Sequence, residues 1–440
     1  MNPGLGAVLR PGVRRREVVG WAMYDFANSG YTTVVLTAVF NAYFVGVAAQ
    51  DAHWATFAWT LVLAASNAVV IFTAPLLGAL ADARNIKKKL LAGATFACVI
   101  STAGLAMVGR GDLMLAAVCI LVSNIAYSWG ESLIAAFLPR LARAEGLGRL
   151  SGWGWSLGYL GGMTTLGASL AYVLWAQSRG IPATEFVPVT MLITATVYAA
   201  ASACTFLLLR EHPQDPPAPV SRTPMAYAWA QLRQTWGEAS RYRDFVSFLA
   251  CCVSYQAGIS VVIALAAVYA EQVLGFKTSD TMLLIFLVNI AAALGAFAFG
   301  YVQDRVGHLR MIAITLVGWL VMIVLAVAAQ GPVLFWVAAV LAGLCMGSSQ
   351  SGGRALAAVL SPPSQVAEFL GLWTLATRLA AIVGPLTYGL VTLMTSGNHR
   401  LAIGVTGLFF VGGLWLLRRV DVDRGTRVAG AAAPAKSVQT

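Results

Sequence analysis

Charged and polar side chains interrupt apolar stretches of the sequence at helical spacing. In WAMYDFANSGYTTVVLTAVFNAYF, residues 21–44, Asp25, Asn28, Ser29 and Thr32 occupy positions i, i+3, i+4 and i+7. On a helix these four side chains form one stripe. A carboxylate that is alternately dry and hydrated alternately holds and releases a proton. Asp25 is therefore a candidate proton-coupling group, and Asn28 is a candidate neutral contact for a small solute.

A second stripe of the same spacing lies further along the chain. It consists of Asn124, Tyr127, Ser128 and Glu131. Asp25 and Glu131 are each about seven residues, or ~10 Å, from the same end of their predicted helices, so we expect the two carboxylates at a similar depth. The structural alternatives are a fixed ion pair or helix-start hydrogen bonding for Asp25, and a salt bridge for Glu131.

Arg378 is the third fully charged side chain inside an apolar stretch. A full charge at the centre of a bilayer costs about 2.5–3.5 kcal/mol, so Arg378 must face protein or water. We expect it to pair with a carboxylate or to receive an anionic group of a solute, with a structural salt bridge as the alternative. Tyr255, Gln256 and Gln350 are further cavity candidates, although hydrogen bonding between helices is the favoured explanation for Tyr255 and Gln256.

The elements that carry these residues are predicted to be membrane-spanning helices. Hydrophobic residues make up 59% of the 440 residues and charged residues 11%, against roughly 25% charged in soluble chains. Apolar runs long enough to cross a ~30 Å hydrocarbon core recur throughout. The fold class is therefore an all-α membrane protein. The predicted spans are 18–44, 55–81, 90–109, 113–137, 152–175, 187–209, 245–270, 280–303, 309–329, 332–355, 368–394 and 400–417.

The distribution of basic residues predicts the orientation of these spans. With a cytoplasmic N-terminus, 24 of the 29 Lys and Arg residues fall on the cytoplasmic side and four on the other side. Cytoplasmic loops of membrane proteins carry such an excess. Both termini are therefore predicted to be cytoplasmic, and the net charge of +11 reflects topology rather than a nucleic-acid partner.

Two similar loops indicate an internal repeat. GALADARNIKKK begins at Gly78 and GYVQDRVGHLR begins at Gly300, so the two loops are separated by half the length of the chain. Two six-helix pseudo-repeats of the same orientation are implied. The predicted organisation is an N-terminal half at 1–209, a cytoplasmic linker at 210–244, a C-terminal half at 245–418 and a disordered tail at 419–440. The linker is expected to contain an amphipathic helix, with a solvated basic segment as the alternative.

Twelve spans, two parallel halves and these loops resemble the major facilitator superfamily, whose loop motif is G-x-L-x-D-R-x-G-R-K. The first copy departs from the motif at Ala83 and Asn85. The resemblance implies alternating access, with both loops holding the two halves together in one gating state. The loop residues to which this role is carried over are Gly78, Asp82, Arg84, Gly300, Asp304, Arg305 and Arg310.

A narrower resemblance is to the autophagy-linked vacuolar amino-acid effluxers of fungi and their bacterial relatives. Residues 21–44, the Leu-Pro loop and glycine-rich helix at 137–162, and the stretch 351–391 are similar to that branch. Arg140 and Arg378 depart from its pattern, since relatives carry an acidic residue and Lys there. The family signature in the third stretch is matched by Arg354, Pro362, Glu368, Phe369, Gly371, Gly384 and Pro385.

Small residues in the predicted fifth span predict a close helix contact. Gly154, Gly158 and Gly162 are spaced four apart, which lets membrane helices approach closely. The resemblance implies that this face meets span 8 of the other half. Ordinary packing within one half is the alternative.

The sequence predicts a secondary transporter that effluxes amino acids or similar small solutes, and Asp25 allows for coupling to protons. The alternatives are an exporter of drugs, sugars or lipid-like solutes, and a non-transporting scaffold or receptor. No P-loop, nucleophile-elbow or metal-ligand motif is present, so we expect no enzyme activity, cofactor or metal site. Arg outnumbers Lys 24 to 5, which favours a GC-rich bacterium and hence its cytoplasmic membrane. The expected partners are a small solute, the lipid bilayer and protons, and the expected state is a monomer.

Overall fold

The structure is a computed structural model that describes residues 9–84, 86–141, 147–211, 237, 241–362 and 366–431. The regular elements of these residues are helices, which form twelve spans that are long and apolar enough to cross a membrane. Spans 1 to 6 are Arg15–Ala48, Ala55–Arg84, Lys87–Met107, Leu113–Ala135, Leu147–Ser178 and Ala183–Leu208. Spans 7 to 12 are Arg243–Leu274, Thr278–Val306, His308–Ala328, Pro332–Val359, Val366–Met394 and His399–Leu417. A short helix, Leu138–Leu141, precedes span 5, and a tail helix, Val422–Ala431, follows span 12.

Span 1 is a single crossing, but it is not the regular helix that its apolar pattern predicts. An α-helix at Arg15–Tyr31 continues as a π-helix at Thr32–Ala38, and a second π-helical segment follows at Phe44–Ala48. The Thr32 hydroxyl donates to the carbonyls of Asn28 and Ser29 at 3.3 and 3.2 Å. Hydroxyls that compete for helix carbonyls, in a run of β-branched residues, favour such widening. Apolar periodicity alone could not reveal it.

The chain divides into two compact units, and each is described by itself. The first comprises Met1–Ala228 with Ala264–Phe286, and the second comprises Trp229–Ile263 with Leu287–Thr440. Spans 1 to 6 therefore lie in the first unit, together with the later part of span 7 and the start of span 8.

In the first unit, span 1 packs closely on span 5, and glycines permit the approach. A Cβ on Gly158 would lie 2.9 Å from Ser29 Oγ, and one on Gly162 would lie 2.8 Å from Thr33 Oγ1. A Cβ on Gly161 would collide with the backbone of Phe26. The glycine face of span 5 therefore serves packing within one half. The prediction that this face meets span 8 was wrong, because the small residues accommodate the side chains of span 1.

The second unit repeats this packing pattern. The Tyr24 hydroxyl of span 1 lies against Gly130 of span 4, and the Tyr255 hydroxyl of span 7 lies against Gly353 of span 10. The backbone contact of Phe26 with Gly161 is likewise repeated by a contact of Ala257 with Gly384. In both cases each residue of the second contact follows its counterpart by roughly half the length of the chain. Internal packing thus confirms the two six-helix pseudo-repeats inferred from the loops.

The segments outside the spans are described in part. The tail was predicted to be disordered from residue 419, but Val422–Ala431 is helical because its residues dock on the start of span 7. The predicted linker helix lies outside the described residues. So do the side chains of Glu368 and of most of the predicted loop residues, namely Asp82, Arg84, Asp304 and Arg305. Gly307 has a φ of +87° and a ψ of 155°, an extended backbone conformation at positive φ that is open essentially to glycine.

Candidate functional site

A buried polar cluster joins spans 1, 3 and 6 in the first unit. Tyr198 donates its hydroxyl to Asn28 Oδ1 at 2.8 Å. The Tyr24 and Tyr198 hydroxyls are 3.4 Å apart, and their rings meet edge to face at 6.2 Å. Tyr24 also shares a hydrogen bond with Thr95 at 2.9 Å. Four side chains from three helices are therefore connected through hydroxyl and amide groups.

The position of Asn28 in this cluster bears on its predicted role. Its residue surface is only 5% exposed, and its Nδ2 has no hydrogen-bond partner among the described residues. Because Tyr198 fixes the amide oxygen, the amide is held towards span 6 inside the unit. This burial suits a residue that positions span 1. A direct contact of Asn28 with a solute remains a prediction.

Sequence reasoning missed the two tyrosines and Thr95. Tyr24 and Asn28 are spaced i, i+4, which was a usable signal for a shared helix face. Tyr198 stands in an apolar span without a charged neighbour, so nothing in its local sequence distinguishes it from a packing residue.

Asp25 lies half-buried on the face of span 1 that meets span 5. A Cβ on Gly154 would collide with Asp25 Oδ2 and would approach the Trp21 ring to 2.7 Å. The absence of a side chain at Gly154 therefore makes room for the carboxylate. Trp21 is itself fixed, since its Nε1 donates to the Ile134 carbonyl of span 4 at 2.9 Å.

The predicted stripe of span 4 divides between two environments. Asn124 is buried, and its Nδ2 donates to Ser66 Oγ of span 2 at 2.6 Å. Tyr127 stacks on Tyr31 of span 1 with ring centroids 5.3 Å apart. Asn124 is thus engaged in helix packing, whereas the other side of the stripe faces span 1.

Glu131 is half-buried in span 4. It directly follows Gly130, which contacts the Tyr24 hydroxyl, just as Asp25 directly follows Tyr24. The two carboxylate residues are therefore each one position from the same interhelical contact. This arrangement agrees with the similar depth expected from the sequence.

A second polar group of the first unit involves the later part of span 7. Asn41 is fully buried, and its Nδ2 donates to the carbonyls of Thr37 and Ala264 at 3.0 and 3.1 Å. Gln272 Nε2 donates to Asp51 Oδ1 at 2.7 Å. Polar contacts thus join the later part of span 1 to the later part of span 7. These contacts were not predicted, because the partner of Asn41 is a backbone carbonyl and Gln272 is far from Asp51 along the chain.

In the second unit, the predicted polar residues occupy two kinds of position. Tyr255 and Gln256 are buried, and Tyr255 Oη lies 3.5 Å from Cys252 Sγ, which agrees with the packing explanation. Arg378 and Gln350 are half-buried. The Arg354 guanidinium lies 5.5 Å from the centre of the Trp373 ring, a cation–π contact between spans 10 and 11.

No group of three His, Cys, Asp or Glu side chains in the described part of the chain is placed to hold a metal ion.

Comparison with known proteins places this arrangement in a family. The family model described as "Vacuole effluxer Atg22 like" matches residues 42–430. The uncharacterized MFS-type transporter YxiO of Bacillus subtilis is 27% identical over 414 residues, which cover 93% of this chain and 96% of YxiO. Autophagy-related protein 22-1 of Penicillium rubens is 26% identical over 302 residues. That match covers 64% of this chain but only 50% of the fungal protein.

Solved structures with the same fold are transporters. The nucleoside transporter NupG has a TM-score of 0.68 and 14% identity, covering 92% of this chain and 98% of NupG. A D-xylose-proton symporter has a TM-score of 0.67 and 16% identity, covering 93% of this chain and 98% of that protein. The fold is therefore that of the major facilitator superfamily, as predicted. With the match of the family model over most of its length, the chain is a multi-pass transporter of the MFS type and belongs to the Atg22-like vacuole effluxer family.

Proposed function

We propose that this transporter effluxes amino acids or similar small solutes by alternating access, and that Asp25 couples the movement of solute to that of protons. The half-buried carboxylate of Asp25, seated over Gly154 where span 1 packs on span 5, is the observation that carries the proposal. The fungal relatives are named autophagy-related proteins and the family description names vacuole effluxers, which supports efflux.

The proposed mechanism uses the surroundings of the carboxylate. A carboxylate in a dry site favours its proton, and water entering the site favours release. Span 1 can alternate between these states if its contact with span 5 slides, because the glycine face presents little steric obstruction. The Tyr198–Asn28 hydrogen bond would keep the neighbouring face of span 1 attached to span 6 during that movement.

The proposed setting follows from the charge distribution. The basic residues favour cytoplasmic N- and C-termini, and the arginine-rich composition favours the inner membrane of a bacterium. Each six-helix half contains its own close-packed glycine contacts, so a monomer is sufficient for alternating access. Arg378 remains a proposed binding residue for an anionic group.

Counterflow in proteoliposomes tests the proposed solute class. Vesicles loaded with a mixture of unlabelled amino acids are diluted into labelled amino acids, one at a time. A carrier is expected to concentrate at least one label transiently inside the vesicles, without any imposed gradient. Counterflow of nucleosides, sugars or lipids in place of amino acids would contradict the solute class. No counterflow of any solute would favour a scaffold or receptor.

Gly154→Ala is expected to reduce transport of the identified solute by about 10–100-fold, because the new methyl group displaces the Asp25 carboxylate and the Trp21 ring, and small misplacements cost rates of that order. The Asp25 carboxylate can move aside, but the buried Trp21 ring is held by its hydrogen bond to Ile134, so the melting temperature is expected to fall as well. Initial exchange rates and thermal melting measure the two effects.

Gly167→Ala is the matched control in the same span. Within the described part of the chain its Cβ would meet Phe286 alone, at 3.9 Å, which is an ordinary contact. Transport by this variant is expected to equal that of the unmodified protein. Equal rates from Gly154→Ala would show that the position of the carboxylate does not matter to transport.

A further inference from the structure

A cavity of about 140 Å³ lies where span 7 begins, span 10 ends and the tail helix docks. It is far larger than the ~10–15 Å³ that one water molecule requires. Its walls include Arg241 and Arg243 at the start of span 7, Leu360 after span 10, and Arg424 of the tail helix. The transport proposal makes no use of this cavity, which lies entirely in the second unit.

The wall formed by the tail helix is held by several hydrogen bonds to a buried carboxylate. Asp244 is 4% exposed. Arg424 donates to both of its oxygens, from Nε at 2.8 Å and from Nη2 at 2.6 Å. The backbone N–H of Asp421 donates to the same carboxylate at 2.9 Å. A bidentate pair of this kind fixes orientation as well as distance.

Close packing of Gly425 completes this wall. A Cβ at this position would approach Leu360 Cδ2 to 2.5 Å and Asp244 Cβ to 3.2 Å. The tail helix therefore lies as near to spans 7 and 10 as its backbone permits. The cavity is consequently bounded by docked elements and not by loosely placed side chains.

The charge lining the cavity is positive. Three arginines face it with one carboxylate, and the oxygens of that carboxylate are already engaged by Arg424 and Asp421. The bonds to Asp244 raise the pKa of Arg424 above its usual value, so this guanidinium stays charged. Arg241 and Arg243 are exposed. The charge of Arg243 also attracts the Asp244 carboxylate, but the close ion pair of that carboxylate, at 2.6 Å, is with Arg424. The lining of the cavity therefore carries an excess of positive charge that an anion could neutralise.

The cavity lies at the ends of membrane spans, since span 7 begins and span 10 ends at its walls. Its floor is apolar, with Phe245 and Leu360 buried. Trp415, near the end of span 12, is 55% exposed, and the Arg419 guanidinium stacks on its ring at 3.9 Å. Exposed tryptophan and arginine at span ends mark the level of lipid headgroups. An anion that also carries glycerol and acyl groups matches both the charged rim and the apolar floor.

We propose that this cavity binds the phosphate-bearing headgroup of an anionic phospholipid, with Arg241 and Arg243 contacting the phosphate and the docked tail helix forming the third side. Under the proposed topology the site faces the cytoplasmic leaflet, where basic clusters next to a span are typical binding sites for anionic lipids. Lipid bound there would bridge span 7 to the tail helix and stabilise their contact.

The test measures binding of phosphatidylglycerol to the full chain in phosphatidylcholine nanodiscs, from the melting temperature and from native mass spectrometry. Phosphatidylglycerol is expected to raise the melting temperature and to remain bound as discrete adducts. Arg241→Gln combined with Arg243→Gln is expected to weaken binding by about tenfold or more, because two charge-assisted contacts are lost.

Arg418→Gln combined with Arg427→Gln is the matched control, since it removes the same charge from nearby positions that do not line the cavity. Its binding is expected to stay within about twofold of the unmodified protein, because neither arginine lines the cavity and salt screens the longer-range attraction between their charges and the lipid. Equal weakening by both pairs would overturn the proposal in favour of a diffuse surface effect. Absence of any preference for phosphatidylglycerol over phosphatidylcholine in the unmodified protein would also overturn it.

Two further experiments distinguish loss of lipid binding from loss of folding and from binding of free phosphate. If the glutamine pair melts lower than the unmodified protein in phosphatidylcholine alone, Arg241→Lys with Arg243→Lys replaces it. This pair keeps the charge but loses bidentate geometry, so binding is expected to be weakened to an intermediate extent. Protection by inorganic phosphate at the same concentrations as the lipid would identify a free-anion site and overturn the lipid assignment.

Discussion

Gly384→Ala is expected to destabilise the second unit by about 1–3 kcal/mol or more, the range for overpacking a close contact. A Cβ at residue 384 would collide with the carbonyl oxygen, carbonyl carbon and Cα of Ala257 in span 7. All three are backbone atoms, so no side-chain rotation relieves the clash. Pro385 follows immediately and lacks the N–H that a regular helix would use there. Span 11 is therefore shaped at this point for contact with span 7.

Thermal unfolding in detergent measures the effect, and Gly371→Ala in the same span is the control. Among the described residues, no atom outside the neighbouring backbone lies within 4 Å of a Cβ at Gly371. Alanine is favoured over glycine in helices by up to about 1 kcal/mol, so this variant is expected to melt at the same or a higher temperature. A loss of stability that is equal in both variants would mean that the close approach of spans 7 and 11 is not the cause.

The same reasoning extends to the first unit through the repeat. Gly161 occupies the position equivalent to Gly384, and its Cβ would collide with the backbone of Phe26. Gly161→Ala is therefore expected to be destabilising in the same way. Sequence reasoning identified Gly384 only through a family signature, and it did not single out Gly161. The physical reason, contact with a carbonyl of a distant span, becomes visible only when both helices are in place.

Much of the fold could be predicted from the sequence because the bilayer constrains it strongly. A span must be apolar over ~30 Å, and only helices satisfy the backbone there. The predicted start of span 4 coincides with the observed one, and its predicted end at 137 lies just beyond the observed end at Ala135. The repeat was also accessible, since its two loops carry Gly, Asp and basic residues at matching positions.

The candidate site was less predictable because its contacts depend on which helix faces are adjacent. Helical spacing grouped Asn124 with Glu131 on one face of span 4, yet Asn124 donates a hydrogen bond to Ser66 of span 2. Tyr198 was not selected, although it fixes Asn28. The tail helix was missed for a related reason, because its stability depends on Asp244, which is far from Arg424 along the chain. The residues around each position in the sequence do not indicate such distant partners.

Asp25→Asn is expected to abolish gradient-driven accumulation of the solute while leaving exchange intact. A gradient of one pH unit stores about 1.4 kcal/mol, which supports roughly tenfold accumulation when one proton moves with each solute molecule. Asparagine has nearly the same size as aspartate and fits the same space over Gly154, but it cannot bind and release a proton. Without a group that binds and releases protons, the pH gradient cannot drive transport. No accumulation of the solute above its external concentration is therefore expected.

The measurement is amino-acid flux in proteoliposomes with and without an imposed pH gradient, alongside counterflow for each variant. Asp423→Asn, an exposed carboxylate of the tail helix, is the control and is expected to behave as the unmodified protein. Glu131→Gln tests the second carboxylate at a similar depth. If this variant loses accumulation and Asp25→Asn keeps it, the coupling group is Glu131 and the role of Asp25 is structural. If both variants keep full accumulation, proton coupling does not pass through these carboxylates, and the packing of spans 1 and 5 around Asp25 serves the fold alone.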